Sequence, residues 1–282
     1  MEEQLKLALA KKALQIRKYV IEEVYSAQSG HPGGSLSIAD VVTYLYFHEL
    51  RIDPSNPNWE DRDRFVLSKG HCVPAVYAAL AMKGYFPTDW LPGFRHLDSP
   101  LQGHPNMLDV PGLDMSTGSL GQGVSAACGI ALSAKLFGNS YRTYAILGDG
   151  ELEEGEVWEA AMFAAHYKLD NLVAFVDFNG LQIDGHVEDV LSPLPIAGKF
   201  REFGWNVIEI SAHDFDAIDA AYTLAKTVKG KPTIIVARSI KGKGVSFMEN
   251  EAAWHGTAPN GEQREQALRE LDEVLLELEA GN

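Results

Sequence analysis

The sequence lacks long apolar runs, basic tracts and nearly all cysteine, and each shortage excludes something. Its longest apolar stretches are too short to cross a bilayer. The N-terminal MEEQLKLALAKK is charged and has no signal-peptide core. Cys72 and Cys128 are the only two cysteines in 282 residues, with neither a CxxC pair nor zinc spacing. Their small, apolar neighbours read as packing contexts, so both are expected to be buried thiols in a reducing cytoplasm. Lys and Arg number 24 against 39 Asp and Glu, a net charge of −15. No basic patch or stripe is visible, which argues against nucleic-acid binding. The same field repels phosphorylated ligands. Any phosphate site must therefore use local cations, backbone amides or a metal.

What is present is a chain rich enough in apolar residues, 46%, to bury a large core. Leu7, Leu14, Val20 and Val24 recur at near-helical spacing and predict a first helix over Gln4 to Gln28. Ser29 to Gly34, SGHPGG, breaks it. Ser37 is expected to cap the next helix, ending near Leu50. A strand over Arg64 to Ser68 leads into Lys69-Gly70-His71 and a helix from Val73 to Lys83. Pro87 to Met115, punctuated by Pro, Gly and His, reads as a functional loop. Thereafter helices (Gly121 to Phe137, Gly155 to Lys168, one capped by Asp214 and ending near Gly230) alternate with strands. The strands are Thr143 to Leu147, Leu172 to Asp177, Trp205 to Ile210 and Thr233 to Ala237. The helix after Gly155 is apolar nearly all round and is expected to be buried. Runs such as YAIL, LVAFV and TIIVA suit strands covered on both faces. The fold class that follows is α/β, a parallel sheet sandwiched by helices. An amphipathic helix over 262–278 closes the chain, and a single domain over 1–282 is the simplest count.

The strongest local signal is strand, Gly148-Asp149-Gly150, helix, strand, Asp177-Phe178-Asn179-Gly180. Asp149 and Asn179 are each expected at the C-terminal end of a strand, where open parallel sheets bind ligands. A carboxylate and an amide oxygen are hard ligands suited to Mg2+ or Ca2+. A backbone carbonyl, water and diphosphate oxygens would complete the shell. Gly150 lets a bulky anion approach the backbone, and the helix start adds amide donors. A lone GDG is as often a tight turn; the spaced pair around a helix moves the reading toward a site.

At this point the sequence resembles a family. GDG with Asn179 matches the thiamine-diphosphate fingerprint, and nearly the whole chain resembles the N-terminal, diphosphate-binding domain of transketolase. The supporting motifs, in family order, are SGHPGG, DRFVLSKGH, QGHP, TGSLGQG, LGDGELEEG, IKGKG and WHG. The resemblance implies thiamine diphosphate held through Mg2+ or Ca2+ by Asp149, Asn179 and the carbonyl of Leu181. It implies that His31 and His255 face the thiazolium and the donor carbonyl oxygen. His104 would meet the donor's terminal hydroxyl, and His71 the diphosphate side. Lys69 and Lys241 would reach the phosphates, Gly118, Ser119 and Leu120 the aminopyrimidine, and Ile183 would pack on the thiazolium side. Glu154 would join a carboxylate network at the boundary between subunits; otherwise it and Glu159 are solvated residues of the helix after GDG, or partners of its dipole. Imidazoles suit the chemistry, since they donate to a developing oxyanion and move protons near neutral pH. His48, His96, His166, His186 and His213 match nothing and are expected to be structural or solvent-facing.

Full transketolases continue into a pyrimidine-binding domain and a third domain, which bring the activating glutamate and the basic residues that grip the sugar phosphate. Here the sequence stops at Asn282 after one helix. The expectation is a split transketolase: an N-terminal subunit that meets a C-terminal subunit in an α2β2 assembly and acts on sugar phosphates. Two alternatives stand beside it. One is half of a related thiamine-diphosphate enzyme acting on an unusual sugar phosphate or an α-ketoacid. The other is a non-catalytic, cofactor-binding scaffold.

Overall fold

A computed structural model describes residues 1–280; the terminal Gly281 and Asn282 lie outside the described residues. Helix α1 (Glu3–Ala27) buries Leu9, Ile16, Val20 and Val24 on one face. Two short helices follow, α2 (Pro32–Ser37) and α3 (Ala39–Tyr44), then a π turn over Leu45–Glu49. Strand β1 (Arg64–Leu67) runs through a short 3-10 turn into α4 (Val73–Lys83). The predicted loop 87–115 holds one 3-10 segment, Thr88–Gly93, and otherwise turns. After it come α5 (Gln122–Phe137), β2 (Thr143–Gly148), α6 (Gly155–His166) and β3 (Leu172–Phe178). A small antiparallel hairpin, β4 (Leu181–Gln182) and β5 (Gly185–His186), leads to α7 (Val187–Val190) and α8 (Ile196–Glu202). Then β6 (Asn206–Ser211), α9 (Phe215–Thr227), β7 (Thr233–Arg238) and α10 (Gly261–Ala280) complete the order.

The main sheet is parallel throughout, in the order β1-β2-β3-β7-β6. Side chains alternate across it and feed two cores. Phe65, Ile146, Phe175 and Ile235 join the core under α1, α3, α4 and α9. Val66, Leu147, Val176 and Val236 join the core under α5, α6 and α8. The α/β expectation is met, and both cysteines are buried. Among the described residues no helix is long and apolar enough to cross a membrane.

Two local expectations fail for physical reasons. Ser37 does not cap the second helix. Pro32, whose fixed φ suits a first helical turn, starts α2 earlier, and Ser37 becomes its last residue. Its hydroxyl lies against Gly34 O and Asp177 Oδ2. Helix α6 is not buried all round. Val157, Ala160, Ala161 and Ala164 face the core, whereas Met162, Phe163 and Tyr167 are exposed, as are Leu136 and Phe137 of the neighbouring α5. An apolar helix face reports what it avoids, not what covers it. Ile183 sits at the tip of the β4–β5 hairpin, 67% exposed.

The small residues of α5 let it approach closely. A Cβ on Gly123 would lie 2.5 Å from Cα of Ser68, so the start of α5 rests directly on the end of β1. That contact brings the TGSLGQG segment to the same sheet edge as GDG.

Candidate active site

Four adjacent strand ends carry the site. β1 ends at Ser68-Lys69, β2 at Gly148-Asp149, β3 at Asp177 to Asn179 and β7 at Ser239 to Lys241. Parallel pairing places Gly148 opposite Asp177 and Asp177 opposite Ala237. The carboxyl ends of parallel strands thus form a crevice, as expected from the sequence.

Asp149 is buried. Its Oδ1 accepts the Gly150 N–H at 2.9 Å and its Oδ2 the Gly180 N–H at 2.5 Å. Burial and then the charge of Asp177 push its carboxyl up to about 7. Asn179 is held at both ends: Nδ2 donates to Asp177 Oδ2 at 2.9 Å, and Oδ1 accepts from Leu181 N at 3.1 Å. The carbonyl of Leu181 accepts from Lys241 Nζ at 3.1 Å. A destabilised carboxylate, an oriented amide oxygen and a carbonyl already facing an ammonium make an oxygen donor set that fits a hard divalent cation. Among the described residues no cluster of three His, Cys, Asp or Glu could hold a metal. A cation here would depend on these mixed ligands and on ligand oxygens.

The two lysines behave differently. Lys69 is almost fully buried, and its ammonium donates to Asp177 Oδ2 at 2.6 Å and to Gly34 O at 3.2 Å. Burial opposes its charge, but the Asp177 carboxylate more than offsets this and raises its pKa. Its charge is therefore balanced inside the fold. Lys241 is lowered, by burial and then by Lys69, and its Nζ lies 2.9 Å from Nδ1 of His255. The local positive charge expected of the pair rests mainly on Lys241.

Above this floor the predicted histidines converge. Ring centroids are 5.0 Å apart for His31 and His71, 5.4 Å for His31 and His255, 5.1 Å for His71 and His255, and 6.4 Å for His31 and His104. Burial, then nearby Arg95, His104 and Lys241, bring His31 down to about 4. Burial and Lys241 bring His255 to about 3, and His71 and His104 are lowered as well, burial first. All four are neutral at pH 7. Nδ1 of His31 is buried without a protein partner.

The same cleft, about 330 Å³, is also bordered by Gly118, Leu120, Gly150, Glu154 and the exposed Ile183. Ser119 is not on it; it is exposed and faces a neighbouring depression with Thr117 and Gln122. Glu154 is exposed at the cleft's rim and precedes α6 rather than lying on it, since it is the residue that leads into the first turn. Glu159 is on the exposed face of α6.

Sequence reasoning missed two buried carboxylates. Asp177 is fully buried and gathers Lys69, Ser37, Ser239 and Asn179. Burial would raise its pKa, but Lys69 and these hydrogen bonds lower it. Its signal was a charge ending the otherwise apolar run LVAFV. Glu151 accepts from Ser68 Oγ, Gly121 N at 2.9 Å and Gly148 N at 3.0 Å, tying α5 to the GDG turn. Four glutamates crowd GELEEGE, and nothing in their spacing marks which one turns inward. Of the five unmatched histidines, His213 is half-buried rather than free: Nδ1 lies 2.7 Å from Asp40 and Nε2 accepts from Ile240 N.

Residues 9–272 match the model of the family described as transketolase, thiamine diphosphate binding domain. The chain is 48% identical over 257 residues to a 6-deoxy-6-sulfo-D-fructose transketolase subunit of Clostridium sp. (strain MSTE9), covering 91% of this chain and 94% of that one. It is 43% identical over 266 residues to one of the subunits of the apulose-4-phosphate transketolase of Phocaeicola vulgatus, covering 94% of each. Among solved structures, transketolase from Campylobacter jejuni superposes with a TM-score of 0.89 at 33% identity, over 96% of this chain and 43% of that one. The chain thus spans less than half of that larger transketolase. Strand ends, cleft and relatives agree, and the chain belongs to the transketolase family as its thiamine-diphosphate-binding domain.

Proposed function

We propose that this chain is the N-terminal subunit of a split transketolase that moves a two-carbon ketol unit from a ketose phosphate to an aldose phosphate. The observation that carries the reading is the set of four neutral histidines over a floor of Asp149, Asn179 and the Leu181 carbonyl. A diphosphate-binding scaffold needs the floor but not the histidines. The floor would hold Mg2+ or Ca2+ and, with Lys241, the diphosphate. When bound, thiamine diphosphate supplies the nucleophilic carbon and the electron sink.

The chain's own groups then have definable tasks. Lys241 donates to Nδ1 of His255, so His255 carries its proton on Nε2 and can offer it to a substrate oxygen. His31, neutral and lining the same cleft, can donate to or accept from the same oxygen. His104 belongs to the 87–115 loop and lines the cleft 6.4 Å from His31, which suits a contact to a donor hydroxyl. His71 stacks on His255 and keeps water from that face.

The remaining groups would arrive on a C-terminal partner chain in an α2β2 cytoplasmic assembly, with a single diphosphate-binding domain on this one. The exposed apolar residues of α5 and α6 support a partner-covered surface, as does the size match to relatives named as subunits. Those relatives also favour a second reading of the substrate, an unusual sugar such as a 6-deoxy-6-sulfo ketose or apulose-4-phosphate in place of common pentose and hexose phosphates. The test is reconstitution with the candidate partner, thiamine diphosphate and Mg2+, assayed over a panel of ketose donors. Ketol transfer that requires both chains and is lost in His31→Ala and His255→Ala supports the proposal. Full activity of this chain alone, or turnover only with pyruvate, overturns it.

A further inference from the structure

Lys241 sits in the turn Ile240 to Gly244, IKGKG, whose two glycines have left-handed φ of +78° and +94°. Such a turn has many unbound conformations, and holding one of them needs restraint from outside. Part of the restraint is close by, Gly242 N donating to Gly33 O and Gly244 N to Glu249, and part comes from three side chains that do not line the cleft. Arg17 of α1 donates through Nε to the carbonyl of Lys243 at 3.0 Å. Its two terminal nitrogens meet both oxygens of Asp40 in α3, at 3.0 and 2.6 Å. Asp40 Oδ2 also lies 2.7 Å from Nδ1 of His213, and Nε2 of that ring accepts the N–H of Ile240 at 2.9 Å. Accepting at Nε2 fixes the tautomer, so Nδ1–H donates to Asp40. The three side chains therefore grip the turn on both sides of Lys241, at Ile240 N and at Lys243 O. Gly244 makes the approach possible: a Cβ there would meet Cδ of Arg17 at 3.1 Å.

Stability alone does not account for this arrangement. Arg17 and Asp40 are nearly fully buried, and a buried ion pair is often no more stabilising than apolar residues of the same shape. What the ionic network adds is direction, since each bond has one geometry. We propose that Arg17, Asp40 and His213 are positioning residues that set the Lys241 ammonium against Leu181 O and His255, and through it the grip on the cofactor diphosphate. This rests on the cofactor reading above.

The test titrates thiamine diphosphate with Mg2+ into the assembled enzyme, read by tryptophan fluorescence, with melting temperature and steady-state kinetics measured in parallel. His213→Leu is expected to weaken cofactor binding about tenfold, the usual effect of losing an outer-shell partner. The cofactor KM should rise while kcat at saturating cofactor stays within about twofold. His213→Gln, whose side-chain oxygen reaches the position of Nε2, should restore binding to within about threefold; His213→Asn, whose oxygen matches Nδ1 instead, should not. In a Lys241→Met background, His213→Leu should change binding less than about twofold, because the path through Lys241 is already cut. Wild-type affinity in His213→Leu, equal binding by the Gln and Asn variants, or a full tenfold loss in the Lys241→Met background overturns the inference. If the wild-type assembly itself binds no thiamine diphosphate, the cofactor reading has failed, and this inference falls with it.

Discussion

Replacing Asp177 with Asn is the most demanding single test of the site's interior. Asp177 Oδ2 accepts from Ser37 at 2.6 Å, Lys69 at 2.6 Å and Asn179 at 2.9 Å. Asn puts an amide NH2 or a neutral oxygen in that place, so donors face donors and the buried ammonium of Lys69 loses its counter-charge. Breaking one side of a buried ion pair costs about 3–5 kcal/mol. At about 2–4 °C per kcal/mol for a chain near this size, the melting point should fall by about 6–20 °C. The loss reflects an uncompensated charge rather than the worth of the pair. Lys69→Met with Asp177→Asn removes both charges and should recover at least half of the fall. The assay is thermal unfolding by circular dichroism at about pH 7.5, with Mg2+ titrated separately by calorimetry. Because Asp177 also orients the Asn179 amide, the single variant should weaken Mg2+ binding about tenfold or more. A single variant melting within about 2 °C of wild type, or a double variant no more stable than the single, would refute the reasoning.

Metal capture should be pH-dependent with a defined sign. With the Asp149 carboxyl raised to about 7, protons compete with the cation below that pH, so calorimetric affinity for Mg2+ should rise about tenfold from pH 6 to pH 8; Asp149→Asn should flatten the profile. The buried histidines act on stability instead. Their folded pKa values lie below the unfolded value, so their contribution is complete above about 6.5 and is lost as pH falls toward 4. Denaturant titrations between pH 7 and 4 should show that slope, and a His31→Gln, His255→Gln double variant should show less of it. Gly123→Ala forces α5 off the end of β1 and should cost about 1–3 kcal/mol in urea unfolding. Phe137→Ser with Phe163→Ser should leave the fold stable but impair association with the partner chain, read by light scattering.

Much of the architecture is legible in the sequence because it rests on periodicity and strand-end chemistry. Asp149 and Asn179 can be placed from sequence, as glycine-flanked polar residues at the ends of apolar strands announce themselves. Lys69, Lys241 and the histidines cannot; loop residues have no period, and only the family resemblance brings them together. Asp177 and Glu151 are hidden for a different reason. Inward-turned carboxylates look like any strand end or helix start until their donors are placed, and those donors come from Ser37, Ser68, Lys69 and Ser239, far away in sequence. The exposed face of α6 defeats a periodicity argument because exposed apolar residues carry the same pattern as apolar residues in a core. The β4–β5 hairpin has two-residue strands, too short for any alternation to register.

The siting of cleft residues on four neighbouring strand ends has a consequence for how ligands come and go. Amides in the centre of such a sheet exchange with solvent only when the whole sheet opens. Ligand departure therefore cannot proceed by parting β1, β2, β3 and β7 at rates compatible with turnover. The cleft-bordering segments outside the sheet and its restrained 240–244 turn are the ones left to move, chiefly 87–120 and 251–256. Deuterium uptake should accordingly differ between the ligand-free and loaded states in those segments, while the strands that carry Asp149, Asp177 and Lys69 exchange at one common, slow rate in both.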